Sequence, residues 1–83
     1  MSDPARNLCD LPSGARARIV RVDGEDLLAR RLANLGFWPG TPVSAVRRAP
    51  FGEPIQFALR GMRVALRRNE AQRVLVECVE ALP

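Results

Sequence analysis

The 83-residue sequence contains no histidine, no lysine and no tyrosine, and it has only two cysteines and one tryptophan. Without histidine it lacks the side chain that ordinarily acts as a general base near neutral pH, and it can form no Ser–His or Cys–His pair. Its six glycines are scattered at predicted turns and have neither P-loop nor dinucleotide-loop spacing. The sequence therefore predicts a protein that is not an enzyme.

Long hydrophobic runs are also missing. No apolar stretch approaches the length needed to cross a bilayer, and the first residues lack the apolar core of a signal peptide. Cys9 and Cys78 lie far apart in sequence and could form a disulfide only if the two chain ends meet. Because secretion is not indicated, we predict reduced thiols and a cytoplasmic location.

Metal ligands are scarce. Two thiols without histidine fall short of a four-ligand site, and we expect Cys78 to act as a small buried hydrophobic residue. Carboxylates could hold a divalent ion weakly, since hard oxygen ligands suffice for one. Asp23, Glu25 and Asp26 form a cluster that could suggest catalysis, but acids at a helix start are typically caps. No cofactor is predicted, and weak binding of a divalent transition metal stays open.

The charge balance is basic, with thirteen arginines against nine acids, a net charge of +4 and a pI near 10.9. Such a balance permits nucleic acid, an acidic membrane or an acidic protein as partner. The acids are interspersed, and no block of five like charges occurs. The pattern therefore favours a solvated surface over a dedicated nucleic-acid interface.

The length allows a single domain, and a hydrophobic share of 47% is ordinary for a folded protein. Residues 1–7 are predicted to be a flexible polar tail, and residues 8–83 to be the domain. Leu8 and Leu11 are expected to attach the start of the domain to its core.

Alternating apolar residues predict five short strands. The first covers residues 16–23, where a change of phase indicates a bulge or a strong bend, and the second covers residues 41–48. Residues 55–59 and 62–66 form a clear hairpin around an Arg60-Gly61 turn, with Leu59 opposite Met62. A helical turn at residues 69–72, capped by Asn69, precedes the last strand at residues 74–79.

The sequence predicts one amphipathic helix, over residues 25–35, with Asp23 or Gly24 as its N-cap. A possible salt bridge between Asp26 and Arg30 would span one helical turn. Gly36 is expected to end the helix and Pro39 to prevent its extension. One helix and five short strands indicate a mainly β fold, a small and partly open barrel with the helix inserted after the first strand.

The helix stripe and the strand rows together predict the hydrophobic core. Phe37 is expected inside and Trp38 at the surface. The other predicted core residues are Ile19, Leu28, Leu32, Leu35, Val43, Ile55, Phe57, Leu59, Val64, Leu66 and Val76.

Two loops are candidates for recognition. The first contains Trp38 beside Pro39, and the second joins two prolines and an aromatic to a pair of arginines. Arginines beside an aromatic residue can grip an acidic peptide or stack on bases. The alternative is a loop whose prolines only limit its freedom. The predicted partner-binding residues are Trp38, Pro39, Arg47, Arg48, Pro50, Phe51 and Pro54.

Three motifs carry a resemblance to a known family. They are Leu11-Pro12-x-Gly14, Leu35-Gly36-Phe37-x-Pro39-Gly40 and Ala49-Pro50-x-Gly52-x-Pro54-Ile55. In their order and spacing the chain resembles the FeoA family of ferrous iron transport proteins, over residues 8–79. A similar module ends iron-dependent repressors of the DtxR type.

The resemblance implies an SH3-like β-barrel and a role in bacterial ferrous iron uptake. It further implies binding to the cytosolic GTP-binding part of the membrane transporter FeoB, so that contact with the membrane is made only through the transporter. We therefore expect a non-enzymatic cytosolic accessory protein that modulates FeoB. The alternatives are a small basic barrel that binds nucleic acid, which the charge pattern disfavours, and a metal-responsive regulatory module.

Overall fold

The computed structural model describes the backbone of residues 6–80 and the side chains of residues 6–77. Most of the predicted tail and the predicted burial of Cys78 lie outside these residues. The elements, in chain order, are β1 (Arg6–Asn7), a 3₁₀ turn (Leu8–Asp10), β2 (Arg16–Val22), α1 (Leu27–Asn34), β3 (Pro42–Arg48), β4 (Ile55–Leu59), β5 (Met62–Leu66), α2 (Arg68–Ala71) and β6 (Val74–Glu80).

The strands form one antiparallel sheet in the order β1-β6-β2-β3-β4-β5. The predicted mainly β fold with one inserted helix is confirmed, but the described part has six strands, and β5 and β1 are not paired. The sixth strand arises because Arg6 and Asn7, predicted as tail, pair with Val76 and Leu75 of β6. The barrel is therefore open between its two edge strands.

β2 contains the predicted bulge. Ile19 pairs with Val76 and Arg21 with the next residue, Leu75, so that Val20 has no partner in the β6 register. An extra residue bends a strand and increases its twist, which lets a short sheet curl around a single core. The side chain of Val20 is 37% exposed as a result.

The hairpin between β4 and β5 has the predicted turn and register. Arg60 and Gly61 have φ values of 51° and 78°, and Leu59 pairs with Met62. Two residues with positive φ are the signature of the two-residue turn whose twist matches that of the strands. The apolar row of β5 is less buried than predicted, because Met62 beside the turn at the sheet edge is 45% exposed.

Both helices start at other residues than predicted. Helix α1 begins at Leu27 because the carboxylate of Asp26 accepts a hydrogen bond from the backbone N–H of Ala29, 3.2 Å away, which makes Asp26 the N-cap. The same carboxylate pairs with Arg73, so the predicted Asp26–Arg30 pair does not form. Helix α2 begins one residue before the predicted cap Asn69.

The core lies between the concave face of the sheet and α1. Eight of the predicted core residues are buried, namely Ile19, Leu32, Val43, Ile55, Phe57, Leu59, Leu66 and Val76. Leu28, Leu35 and Val64 are half-buried and pack against them. Leu8 and Leu11 are buried as expected. Phe37 is buried and Trp38 is 45% exposed, which confirms the predicted division between these neighbours.

Candidate functional site

The predicted partner-binding residues divide between the two ends of β3. Trp38 and Pro39 precede the strand, whereas Arg47 to Pro54 lie at its other end and in the following loop. A seven-residue strand spans about 20 Å at roughly 3.3 Å per residue. The structure therefore forms two separate surface patches where the sequence predicted one combined surface.

The first patch is built around Trp38. Its indole Nε1–H donates a hydrogen bond to the carbonyl of Ala33, 2.6 Å away, which ties the ring to the end of α1. The guanidinium of Arg60 lies 4.3 Å from the ring centroid. Gly36, just before Phe37 and Trp38, has a φ of 108°, a backbone conformation that favours glycine, and it ends the chain's helical path there. Beside the patch runs a groove of about 210 Å³ lined in part by Pro42, which is small for a substrate pocket.

Arg60 is a residue that sequence reasoning did not assign to the site. The Arg-Gly pair predicted a turn, but the stacking of its arginine on Trp38 depends on the register of β3, β4 and β5. Residues that are remote in sequence meet only through that register. The Arg-Gly pair therefore predicts the turn, whereas the contact between Arg60 and Trp38 is seen only in the structure.

The second patch is the loop over residues 49–54, which we call the Phe51 loop. The N–H of Gly52 donates to the carbonyl of Ala49 at 2.8 Å, and the N–H of Ala49 donates to the carbonyl of Pro54 at 3.1 Å. The carboxylate of Glu53 accepts a hydrogen bond from the backbone N–H of Arg68, 2.8 Å away. The loop is thus closed on itself and fastened to α2.

Phe51 stands at the tip of this fastened loop with 94% of its surface exposed. Large exposed aromatic side chains on a rigid support are typical anchors of protein–protein contacts, because little conformational entropy is lost when they bind. Pro50, Pro54 and Arg47, in the same loop and at the end of the strand before it, are also exposed. The Phe51 loop can therefore insert one aromatic side chain into a pocket of a partner.

Arg48 has a different environment from its neighbour Arg47. Its guanidinium donates hydrogen bonds to the backbone carbonyls of Cys9 and Leu11, the second at 3.2 Å. The side chain is half-buried and joins the end of β3 to the N-terminal segment. Arg48 thus fixes the end of the strand that leads into the Phe51 loop, while Arg47 supplies the exposed charge.

Arg73 joins the link before β6 to the start of α1. Arg73 of the link before β6 donates to the carbonyl of Asp23 and pairs with the carboxylate of Asp26. The hydrogen bond from Arg73, followed by that from the N–H of Ala29, lowers the pKa of Asp26 below its ordinary value. The carboxylate of Asp26 thus serves both as helix cap and as partner of Arg73, whereas Asp23 contributes its backbone carbonyl.

Neither metal ligands nor a membrane helix are found in the described residues. Within residues 6–77, no group of three or more cysteine, aspartate and glutamate side chains could hold a metal ion. The thiol of Cys9 is free and half-buried. Between residues 6 and 80, no helix has both the length and the apolar character to span a membrane. The two patches can therefore bind a partner through apolar side chains and through the positive charge of arginines.

The sequence matches the family model described as the FeoA domain over residues 6–78. A curated relative, the Fe(2+) transport protein A/Fe(2+) transporter FeoB fusion protein of Porphyromonas gingivalis, is 32% identical over 74 residues. That match covers 89% of this chain and 9% of the relative, so the chain spans about a tenth of the relative's length.

Solved structures agree with the fold. FeoA of Stenotrophomonas maltophilia complexed with zinc, described as an SH3 domain protein, is 39% identical with a TM-score of 0.79, covering 87% of this chain and 89% of that chain. A manganese-dependent transcriptional repressor in complex with manganese is 25% identical with a TM-score of 0.83, and the match covers 94% of this chain and 38% of the repressor chain. The expected SH3-like fold, shared with a repressor module, is confirmed.

Proposed function

Because the chain belongs to the FeoA family, whose members take part in ferrous iron transport, we propose that it binds and modulates the cytosolic GTP-binding part of the FeoB transporter as a non-enzymatic accessory protein. The fusion in P. gingivalis carries this proposal. There a transport protein A region and a FeoB transporter are parts of one polypeptide.

A covalent link keeps two domains at high effective concentration, so that even a weak contact between them is occupied. A separate chain must supply that affinity through its own surface. An accessory protein of this kind works in the cytoplasm, at the inner side of the membrane that holds its transporter.

We assign the main contact to the Phe51 loop. The aromatic ring of Phe51 is the apolar anchor, and Arg47 contributes directional contacts to carboxylates or carbonyls. Pro50 and Pro54 keep the loop in its bound conformation. Trp38 and Pro39, at the other end of β3, form a second contact with a large partner.

Modulation requires that the chain binds one nucleotide state of the transporter more tightly than another, because a ligand shifts an equilibrium only by its differential affinity. A titration of the chain into the transporter's cytosolic region, without nucleotide, with GDP and with a non-hydrolysable GTP analogue, tests this. We expect saturable binding with affinities that differ at least about fivefold between states. Absence of binding in all three states would remove the proposal.

The alternatives of nucleic-acid binding and metal response have their own readouts. Phosphate contacts would give affinity for duplex DNA or RNA that falls steeply with salt. A metal-responsive module would melt at a higher temperature with ferrous or zinc ions, since a ligand of the folded state stabilises it. We expect neither effect at concentrations that saturate the transporter.

A further inference from the structure

The edge strand β5 leaves part of its backbone without a partner. In a two-residue hairpin, the residues that flank the turn exchange both backbone hydrogen bonds, and the direction of these groups alternates along the strand. Since Leu59 pairs with Met62, the N–H and C=O groups of Arg63 and Ala65 point away from β4. No strand among residues 6–80 pairs with that side of β5.

A polar groove of about 400 Å³ lies at the end of this edge and includes Ala65 in its lining. Arg31 of α1 and Arg67, which follows β5, line it together with Pro54, Asn69 and Glu70. Two arginines from separate parts of the chain therefore line one groove beside unpaired strand backbone.

The charges in this groove are not balanced internally. Within residues 6–77, neither Arg31 nor Arg67 forms an ion pair. The carboxylate of Glu70 accepts a hydrogen bond from the backbone N–H of Arg67 at 2.7 Å, as part of the start of α2. The groove thus carries an excess of positive charge.

An exposed apolar side chain shares one side of α1 with Arg31. Leu27 is 81% exposed and lies one helical turn before Arg31. A ligand in the groove would meet hydrogen-bonding backbone and two arginines, and one that extends along α1 would reach the isobutyl group of Leu27. This combination fits an extended peptide in which acidic and apolar side chains alternate.

We propose that β5 and this groove bind an acidic, extended segment of a partner protein by strand addition. The backbone of the segment pairs with Arg63 and Ala65, and its carboxylates contact Arg31 and Arg67. A second copy of this chain fits poorly, because antiparallel pairing of two β5 edges brings like-charged arginines together. The site is centred on β5 and shares only Pro54 with the Phe51 loop, and the proposal holds whichever protein carries the segment.

The probe is a short synthetic peptide of alternating glutamate and valine, titrated into the ¹⁵N-labelled chain. We expect saturable binding, with slower hydrogen exchange at the amides of Arg63 and Ala65, because strand addition protects those N–H groups. A peptide with lysine in place of glutamate should not bind. Unchanged exchange at both amides under saturating acidic peptide would overturn strand addition.

Two variants separate backbone pairing from charge. Ala65→Pro removes an N–H that points away from β4, so the hairpin ladder stays complete, and an edge strand tolerates proline there. The double variant Arg31→Gln/Arg67→Gln removes the cations. Each should weaken peptide binding at least about tenfold.

The matched control is Arg18→Gln, which removes an exposed arginine from β2 and should leave peptide affinity within about twofold. A folded Ala65→Pro variant that binds as tightly as the parent chain would contradict the proposal. If that variant does not fold, the exchange of the two amides in the parent chain decides. Because the probe is a peptide alone, failure here is separate from failure of transporter binding.

Discussion

The guanidinium of Arg60 lies over the indole ring of Trp38, 4.3 Å from the ring centroid, and joins the end of α1 to the β4–β5 turn. The indole N–H is engaged too, by the carbonyl of Ala33. A cation over an exposed aromatic ring contributes about 0.5–1 kcal/mol. Trp38 therefore stabilises this end of the sheet through its contacts with Arg60 and Ala33, while the rest of its side chain is exposed to solvent.

Replacement of Arg60 by asparagine should keep the β4–β5 turn but remove the cation that lies over the ring of Trp38. Asparagine accepts a positive φ and precedes Gly61, an arrangement that favours this two-residue turn. We expect a melting temperature close to that of the parent chain but stronger acrylamide quenching of Trp38, the single tryptophan. Unchanged quenching would show that the guanidinium does not cover the ring in solution.

Gly61→Val should destabilise the chain by about 1–3 kcal/mol, because a β-branched residue is strained at positive φ. A Cβ at Gly61 would meet no atom within 4 Å, so the effect comes from the backbone alone. Gly61→Asn is the control, and it should lower the free energy of unfolding by less than Gly61→Val does. Urea denaturation measures both free energies, and equal stability of Gly61→Val and the parent chain would place the turn elsewhere.

Two leucines of α1 provide a matched pair for the core. Leu32 is 1% exposed, and Leu32→Ala should cost about 2–5 kcal/mol of the free energy of unfolding. Leu27 is 81% exposed, and Leu27→Ala should change the free energy of unfolding by less than about 0.5 kcal/mol. Similar denaturation midpoints for the two variants would be incompatible with α1 packing on the sheet.

Arg48→Gln should loosen the N-terminal segment, because it removes the hydrogen bonds to the carbonyls of Cys9 and Leu11. The half-buried thiol of Cys9 reports this change through its rate of reaction with a disulfide reagent. We expect a faster reaction in Arg48→Gln and an unchanged rate in Arg47→Gln, whose arginine is exposed. Equal rates in both variants would mean that Arg48 does not hold the segment.

The parts of the fold that depend on local patterns could be predicted from the sequence. Alternation over residues 55–66 predicts the hairpin and its register, and the phase change in β2 predicts a bulge or strong bend, which the structure places at Val20. The start of α1 was placed two residues early, because three acids in four positions could all act as caps. Arg73 and the N–H of Ala29 select Asp26 in the folded chain.

The candidate site was only partly predictable. Proline and aromatic content singles out the Phe51 loop, but the sequence does not show that Trp38 lies at the other end of β3. It also shows two adjacent arginines as equivalent, whereas Arg48 is used by a segment remote in sequence. Contacts of this kind depend on how strands pair, which no local pattern contains.

The most direct measurement is the affinity of Phe51→Ala for the FeoB cytosolic region. Phe51 is 94% exposed, so its loss should leave the fold intact, which circular dichroism can check. Arg21→Ala is the control, since Arg21 is an exposed residue of β2 that belongs neither to the two patches nor to the groove beside β5. We predict that Phe51→Ala weakens binding at least about tenfold while Arg21→Ala binds as the parent chain does. A folded Phe51→Ala variant with parental affinity would contradict the assignment of the interface to the Phe51 loop.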